Sequence, residues 1–138
     1  MTITRVTIQV PPFPKPRGQL GKYGNMTHSV GGYRSWQDEM LIALRQARFK
    51  TPDSFHTICY IYHWVRKRGA LPDGENLQGG TQDTLKKGEY IKDDNISIIS
   101  SWYGLAVIGK KAYIELYICE TFADFQFFVN NILIKFNR

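Results

Sequence analysis

The first ten residues alternate. Thr2–Val10 sets Ile3, Val6, Ile8 and Val10 mostly on one side, the period-two pattern of a half-buried strand, and Pro11-Pro12 ends it. From Pro11 to Gly32 the chain is rich in Pro and Gly and carries basic residues, and it is expected to form one long connection. A connection of that length in a compact domain is functional or disordered. A helix is expected next, beginning at Ser29 or Tyr33 and running to about Phe49. Trp36, Met40, Leu44 and Ala47 recur in it at helical spacing and read as a buried stripe, not a cofactor-binding motif.

Thr57–Val65 is apolar at odd and even positions alike, which predicts a central strand covered on both faces. Asn76–Lys87 has Leu77, Thr81 and Leu85 on one side and Gly88 placed as a C-terminal stop, so it predicts a helix. Gly79-Gly80 costs such a helix about 2 kcal/mol, which moves its expected start toward Thr81. Asn95–Tyr103 and Lys110–Ile118 read as strands joined in a hairpin near Gly109-Lys110. The tail from Thr121 to Phe136 carries Phe122, Phe125, Phe128, Val129, Ile132, Leu133 and Phe136, a broad apolar helical face. That surplus serves either to cover the chain's own sheet or to meet a partner. The order βαβαββ plus a C-terminal helix (residues 121–137) predicts an α/β (α+β) fold, a small mixed sheet with helices packed on it, with residues 1–138 as one domain.

Composition adds limits. A chain of 138 residues with 43% hydrophobic and 22% charged residues is ordinary globular material that can bury a core without staples. No apolar run approaches the roughly 18 residues of a membrane span. The N-terminus lacks the continuous apolar centre of a signal peptide, so the expected location is cytoplasmic. Cys59 and Cys119 lack C-x-x-C spacing and read as buried thiols. His28, His56 and His63 are scattered and do not pair at the spacing of zinc ligands.

Charge changes the picture most. A formal net charge of +6 suits a polyanionic partner, and the charge is clumped. Lys15, Arg17 and Lys22 share the long connection, and Arg45, Arg48 and Lys50 end the first helix. Arg66-Lys67-Arg68 follow a strand, and Lys86-Lys87 and Lys110-Lys111 form two further clumps. Any one clump is commonly just a solvated loop or helix end. Five in one small domain point to nucleic acid, with Lys15, Arg17, Lys22, Arg34, Arg66, Lys67, Arg68, Lys86 and Lys87 as the expected contacts.

The candidate chemistry is acidic. Asp73-Gly74-Glu75 follows the central strand, and in an extended segment residues two apart project to the same side. Asp93-Asp94 precedes the next strand, and if the two strands are neighbours Asp94 meets that pair at the sheet end. Converging carboxylates beside a basic surface are what Mg²⁺-assisted phosphodiester hydrolysis needs, since Mg²⁺ takes hard oxygen ligands and neutralises charge on the phosphate. Each part also has a plainer reading, Pro72-Asp73-Gly74 as a turn and Asp93-Asp94-Asn95 as polar strand entry.

Asp73-Gly74-Glu75-Asn76-Leu77, then Asp83-Thr84-Leu85, Gly88 and Asp93-Asp94, resemble the signature of the RusA family of Holliday-junction resolvases. That signature reads D-x-D-N-L-x-K, then D-A-L, a glycine and D-D, at the same intervals. Pro11-Pro12, the basic loop, Ser29 and Tyr33-Arg34 are similar to the family's opening segment. The resemblance spans about residues 6–118 and leaves the aromatic tail as an extension. It implies a homodimeric, Mg²⁺-dependent endonuclease that nicks Holliday junctions or other branched DNA in recombination and repair. Asp73, Glu75 and Asp94 then fall on the catalytic and metal-binding acids, with Asp93 beside them. Two positions depart from the pattern: Glu75 replaces an aspartate, and Gly79 stands where the family has a catalytic lysine. The alternative is therefore a catalytically weak or inactive junction-binding protein on the same fold. A restriction-type nuclease would need a D/E-x-K triplet, and the chain contains none.

Overall fold

A computed structural model of the chain describes residues 2–16, 18–20, 26–28, 32–66, 71–93 and 95–136, with segments 18–20 and 26–28 described by their backbone. The elements are β1 (Ile3–Ile8), β2 (Gly18–Leu20), β3 (Met26–His28), α1 (Tyr33–Gln46), β4 (Phe55–Val65), α2 (Gly74–Lys87), β5 (Ile99–Gly109), β6 (Tyr113–Cys119) and α3 (Phe122–Asn131). A 3₁₀ turn at Leu133–Phe136 follows α3. The mixed α+β class is as expected. The long connection is less irregular than its composition suggests, because β2 and β3 pair within it as a short antiparallel ladder.

Four strands form one mixed sheet in the order β1-β6-β4-β5. The apolar run of β4 becomes the centre: β6 pairs it antiparallel on one side and β5 pairs it parallel on the other. The expected hairpin of the last two strands is therefore not formed. Gly109 lies beside Val65 and Tyr113 beside His63, so the connection Lys110–Ala112 passes the end of β4, which is inserted between them. A strand apolar on both faces has to sit centrally, and a pairwise reading of adjacent strands does not anticipate the insertion.

The two faces of β4 feed two cores. Ile58, Tyr60 and Tyr62 pack with Ile8, Ile114, Leu116 and Ile118 under Trp36, Met40 and Leu44 of α1 and Leu77 and Leu85 of α2. Cys59 and Ile61 pack with Tyr117, Cys119 and Phe128 under α3. Both cysteines are free and buried, as the spacing implied. Their mutual hydrogen bond, with burial, pushes the Cys59 thiol well above its ordinary range. Thr121 and Asp124 start α3 with reciprocal capping hydrogen bonds. The tail thus covers the chain's own sheet, while Phe122, Phe127 and Ile134 stay exposed.

Helix α2 starts at Gly74, before the expected Asn76 and well before Thr81. Asp73 caps it, accepting a 2.8 Å hydrogen bond from the Glu75 N–H. The glycine pair inside the helix is explained by what lies against it. A Cβ on Gly80 would stand 2.9 Å from the Phe13 carbonyl oxygen and 3.3 Å from the Lys15 nitrogen. Gly80 therefore lets the Pro11–Lys15 segment dock on α2, where the Lys15 N–H donates to the Asn76 carbonyl at 2.8 Å.

Both long helices end alike. The N–H groups of Arg48 and Phe49 reach back to Arg45 and Leu44, and those of Glu89 and Tyr90 reach back to Lys86 and Leu85. Arg48 and Glu89 take the left-handed conformation there, at φ 54° and 61°. Gly88 stops α2 as expected but with φ −83°; a Cβ there would lie 2.4 Å from Leu41 Cδ2, so a larger residue would have to push the Leu41 side chain aside. The aromatic rings that follow the two helices, Phe49 and Tyr90, pack at 5.7 Å.

Candidate nucleic-acid interface and acidic residues

The direction of α2 decides which acids meet. Tyr62 donates to Thr81 Oγ1 at 3.1 Å and Tyr60 to Gln82 Oε1 at 3.2 Å, so α2 runs back along β4 from its C-terminal end. Asp73 and Glu75 sit exposed at that starting end. They are the cap and the second residue of a helix, not neighbours on an extended segment, because the backbone turns helical at Gly74.

Asp93 lies at the other end of the sheet. It accepts from the Asn95 side-chain amide at 3.0 Å, and the Asn95 carbonyl in turn accepts from the N–H groups of Ile98 and Ile99. Ile99 pairs with Phe55, the first residue of β4. The expected strand from Asn95 accordingly begins at Ile99, since Asn95 to Ile98 form a turn held by the Asn95 side chain. A 14-residue helix rises about 20 Å, and its length separates Asp93 from Asp73 and Glu75. Among the described residues no group of three or more His, Cys, Asp or Glu is placed to hold a metal ion. Of the expected acids, Asp93 stands apart from Asp73 and Glu75, and Asp94, the third of the expected catalytic set, lies outside the described residues. The carboxylate oxygens suit Mg²⁺ chemically, but two acids at one helix start do not make an all-protein site for it.

The basic residues divide the same way. Lys15 and the exposed Arg66 lie at the end where β4 finishes and α2 starts, and Arg34 is exposed in the first turn of α1. Lys86 and Lys87 occupy the last turn of α2, where cations complement the helix dipole, and Lys87 lies 3.9 Å from Asp38. They belong to the Asp93 end, away from Asp73. Arg17, Lys22, Lys67 and Arg68 lie outside the described residues.

Two arrangements have no counterpart in the sequence reading. Lys15 Nζ meets Asp83 Oδ2 at 2.7 Å on the outer side of α2. Beside them is Tyr33, whose hydroxyl is buried without a hydrogen-bond partner among the described residues. Burial, and then the negative charge of Asp83, push its phenol up to about 12. The one advance signal was Gly79-Gly80, since glycines inside a good helical pattern mark a close approach. The second arrangement surrounds Glu115 on the α3 face, where His63, Tyr117 and Arg5 converge on its carboxylate. Residues so far apart in sequence leave no local pattern.

Among the described residues no helix is long and apolar enough to cross a membrane. Compared with known proteins, the chain matches no family model and no curated sequence, so its reading rests on the residues themselves.

Proposed function

We propose that the protein binds branched DNA and nicks it with Mg²⁺ as a two-fold dimer. The observation that carries this reading is the exposed pair Asp73 and Glu75 at the start of α2, at the same end of the sheet as Lys15 and Arg66. Hard oxygen donors next to cations that attract phosphate are the ingredients of metal-assisted phosphodiester hydrolysis. The separation of the acids supports the dimer. Asp73 and Glu75 stand at one end of the sheet and Asp93 at the other, so one copy offers two incomplete sets. A two-fold pairing supplies each α2 start with the Asp93-Asp94 segment of the second copy, and gives the two symmetric sites that paired nicks require.

The same separation supports a second reading, a junction-binding protein without nuclease activity.

Mixing two inactive variants separates these readings on a synthetic four-way junction with Mg²⁺. D73N and D94N are each expected to bind and not to cut. In a shared-site dimer, the mixed pair keeps one site with both native acids and regains single nicks. Failure of the mixture, with the parent cutting, rejects the shared site. Binding by a parent that never cuts selects the second reading, and a parent that neither binds nor cuts overturns both.

A further inference from the structure

We propose that Lys15 is the phosphate-gripping cation of the α2 ridge, held over Gly79 and parked on Asp83 until a DNA phosphate displaces that carboxylate. This rests on the DNA-binding reading above and deepens it by assigning one cation to one place and giving it a resting partner.

The backbone of Lys15 is pinned. Its N–H donates to the Asn76 carbonyl, and the preceding Phe13 carbonyl packs where only a glycine, Gly80, leaves room. Its side chain then lies along α2, with Cδ 3.6 Å and Cβ 3.9 Å from the point where a Gly79 side chain would begin. Any side chain longer than a methyl group at position 79 would compete for that strip. Glu75, Gly79 and Asp83 are four residues apart in turn and share one ridge of the helix. Lys15 therefore lies along a ridge with a carboxylate on either side of Gly79, and its ammonium pairs with Asp83.

The pair is poised to exchange. The Lys15 side chain is 49% exposed and that of Asp83 31%, so water and salt reach both. Exposed ion pairs of this kind are weak, and a phosphate offers lysine an equivalent anionic partner. Asp83 keeps a neutral neighbour in Tyr33, whose buried hydroxyl has no hydrogen-bond partner among the described residues.

The test is binding of the full chain to a four-way junction in EDTA across a salt series. K15M is expected to bind five- to tenfold more weakly at moderate salt. Its plot of log K against log salt should flatten by about one unit, the loss of one phosphate contact. K15R should stay within twofold of the parent, and D83N should bind severalfold tighter because the competing carboxylate is gone. K15A should lose as much as K15M, and K15A/G79K, which clears the strip and moves the lysine onto the helix, should recover the lost affinity and slope. Unchanged affinity and slope in K15M, or weaker binding by D83N, overturns the inference while leaving the DNA-binding reading standing. A double variant as weak as K15A overturns the placement over Gly79. A parent that does not bind junction DNA overturns the DNA-binding reading, and this inference with it.

Discussion

His63 Nε2 lies 2.6 Å from Glu115 Oε2, across the pairing of β4 with β6 and 52 positions away in the chain. Glu115 is buried and also accepts from Tyr117 Oη at 2.8 Å and Arg5 at 3.2 Å. The His63 ring in turn stacks on Tyr113 with centroids 3.9 Å apart. A buried carboxylate is tolerated because these donors replace its water. Glu115→Ala removes the acceptor and leaves three donors facing each other, and we expect it to lower stability by about 3 kcal/mol. Glu115→Gln keeps the shape and should cost less. Urea unfolding of both variants checks the order, and a Glu115→Ala protein as stable as the parent would show that the network contributes nothing.

The adjacent glycines of α2 should respond with opposite signs. Alanine favours a helix over glycine by about 1 kcal/mol. At Gly79 the new methyl meets the Lys15 side chain at an ordinary 3.6 Å, so Gly79→Ala is expected to stabilise. At Gly80 it would press on two backbone atoms, at 2.9 and 3.3 Å, and the docked segment has to move. Gly80→Ala is expected to destabilise by about 1–3 kcal/mol. Equal shifts of the two melting temperatures would rule out the docking explanation.

Asp73 serves the helix whatever else it does. Asparagine caps as well as aspartate, while alanine costs about 1 kcal/mol. Asp73→Asn should therefore melt with the parent and Asp73→Ala below it. Under the proposed function neither cuts a junction with Mg²⁺. Cutting by Asp73→Asn at the parent rate would confine Asp73 to capping.

Tyr33 gives a pH dependence with a definite sign. Its phenol is pushed from an ordinary value near 10 up to about 12, so the unfolded chain gives up this proton first as pH rises. Its contribution to stability is then fully present below pH 10 and lost as pH climbs from 10 to about 12. The buried phenols of Tyr62 and Tyr117, also pushed upward, act in the same direction. Tyr33→Phe is expected to reduce the slope of stability against pH in that window without abolishing it. A slope identical to the parent's would contradict the assignment.

Local pattern was enough for the elements. The apolar run of residues 57–65 declared a central strand because both its faces needed cover, and Trp36, Met40 and Leu44 declared the buried stripe of α1 because one helical face repeats every third or fourth residue. The basic clumps and the acids were legible as composition. What the sequence left open was every relationship that depends on which strand lies beside which. The insertion of β4 between β5 and β6, the placing of Asp73 and Asp93 at opposite ends of a helix about 20 Å long, and the meeting of His63 with Glu115 are set by long-range pairing. Even Gly79-Gly80, read locally as a cost to the helix, acquired its reason only when Phe13 and Lys15 packed against it. A helix or strand repeats over a few residues and prints that period in the sequence. A tertiary contact between distant residues has no period, and only the folded chain decides it.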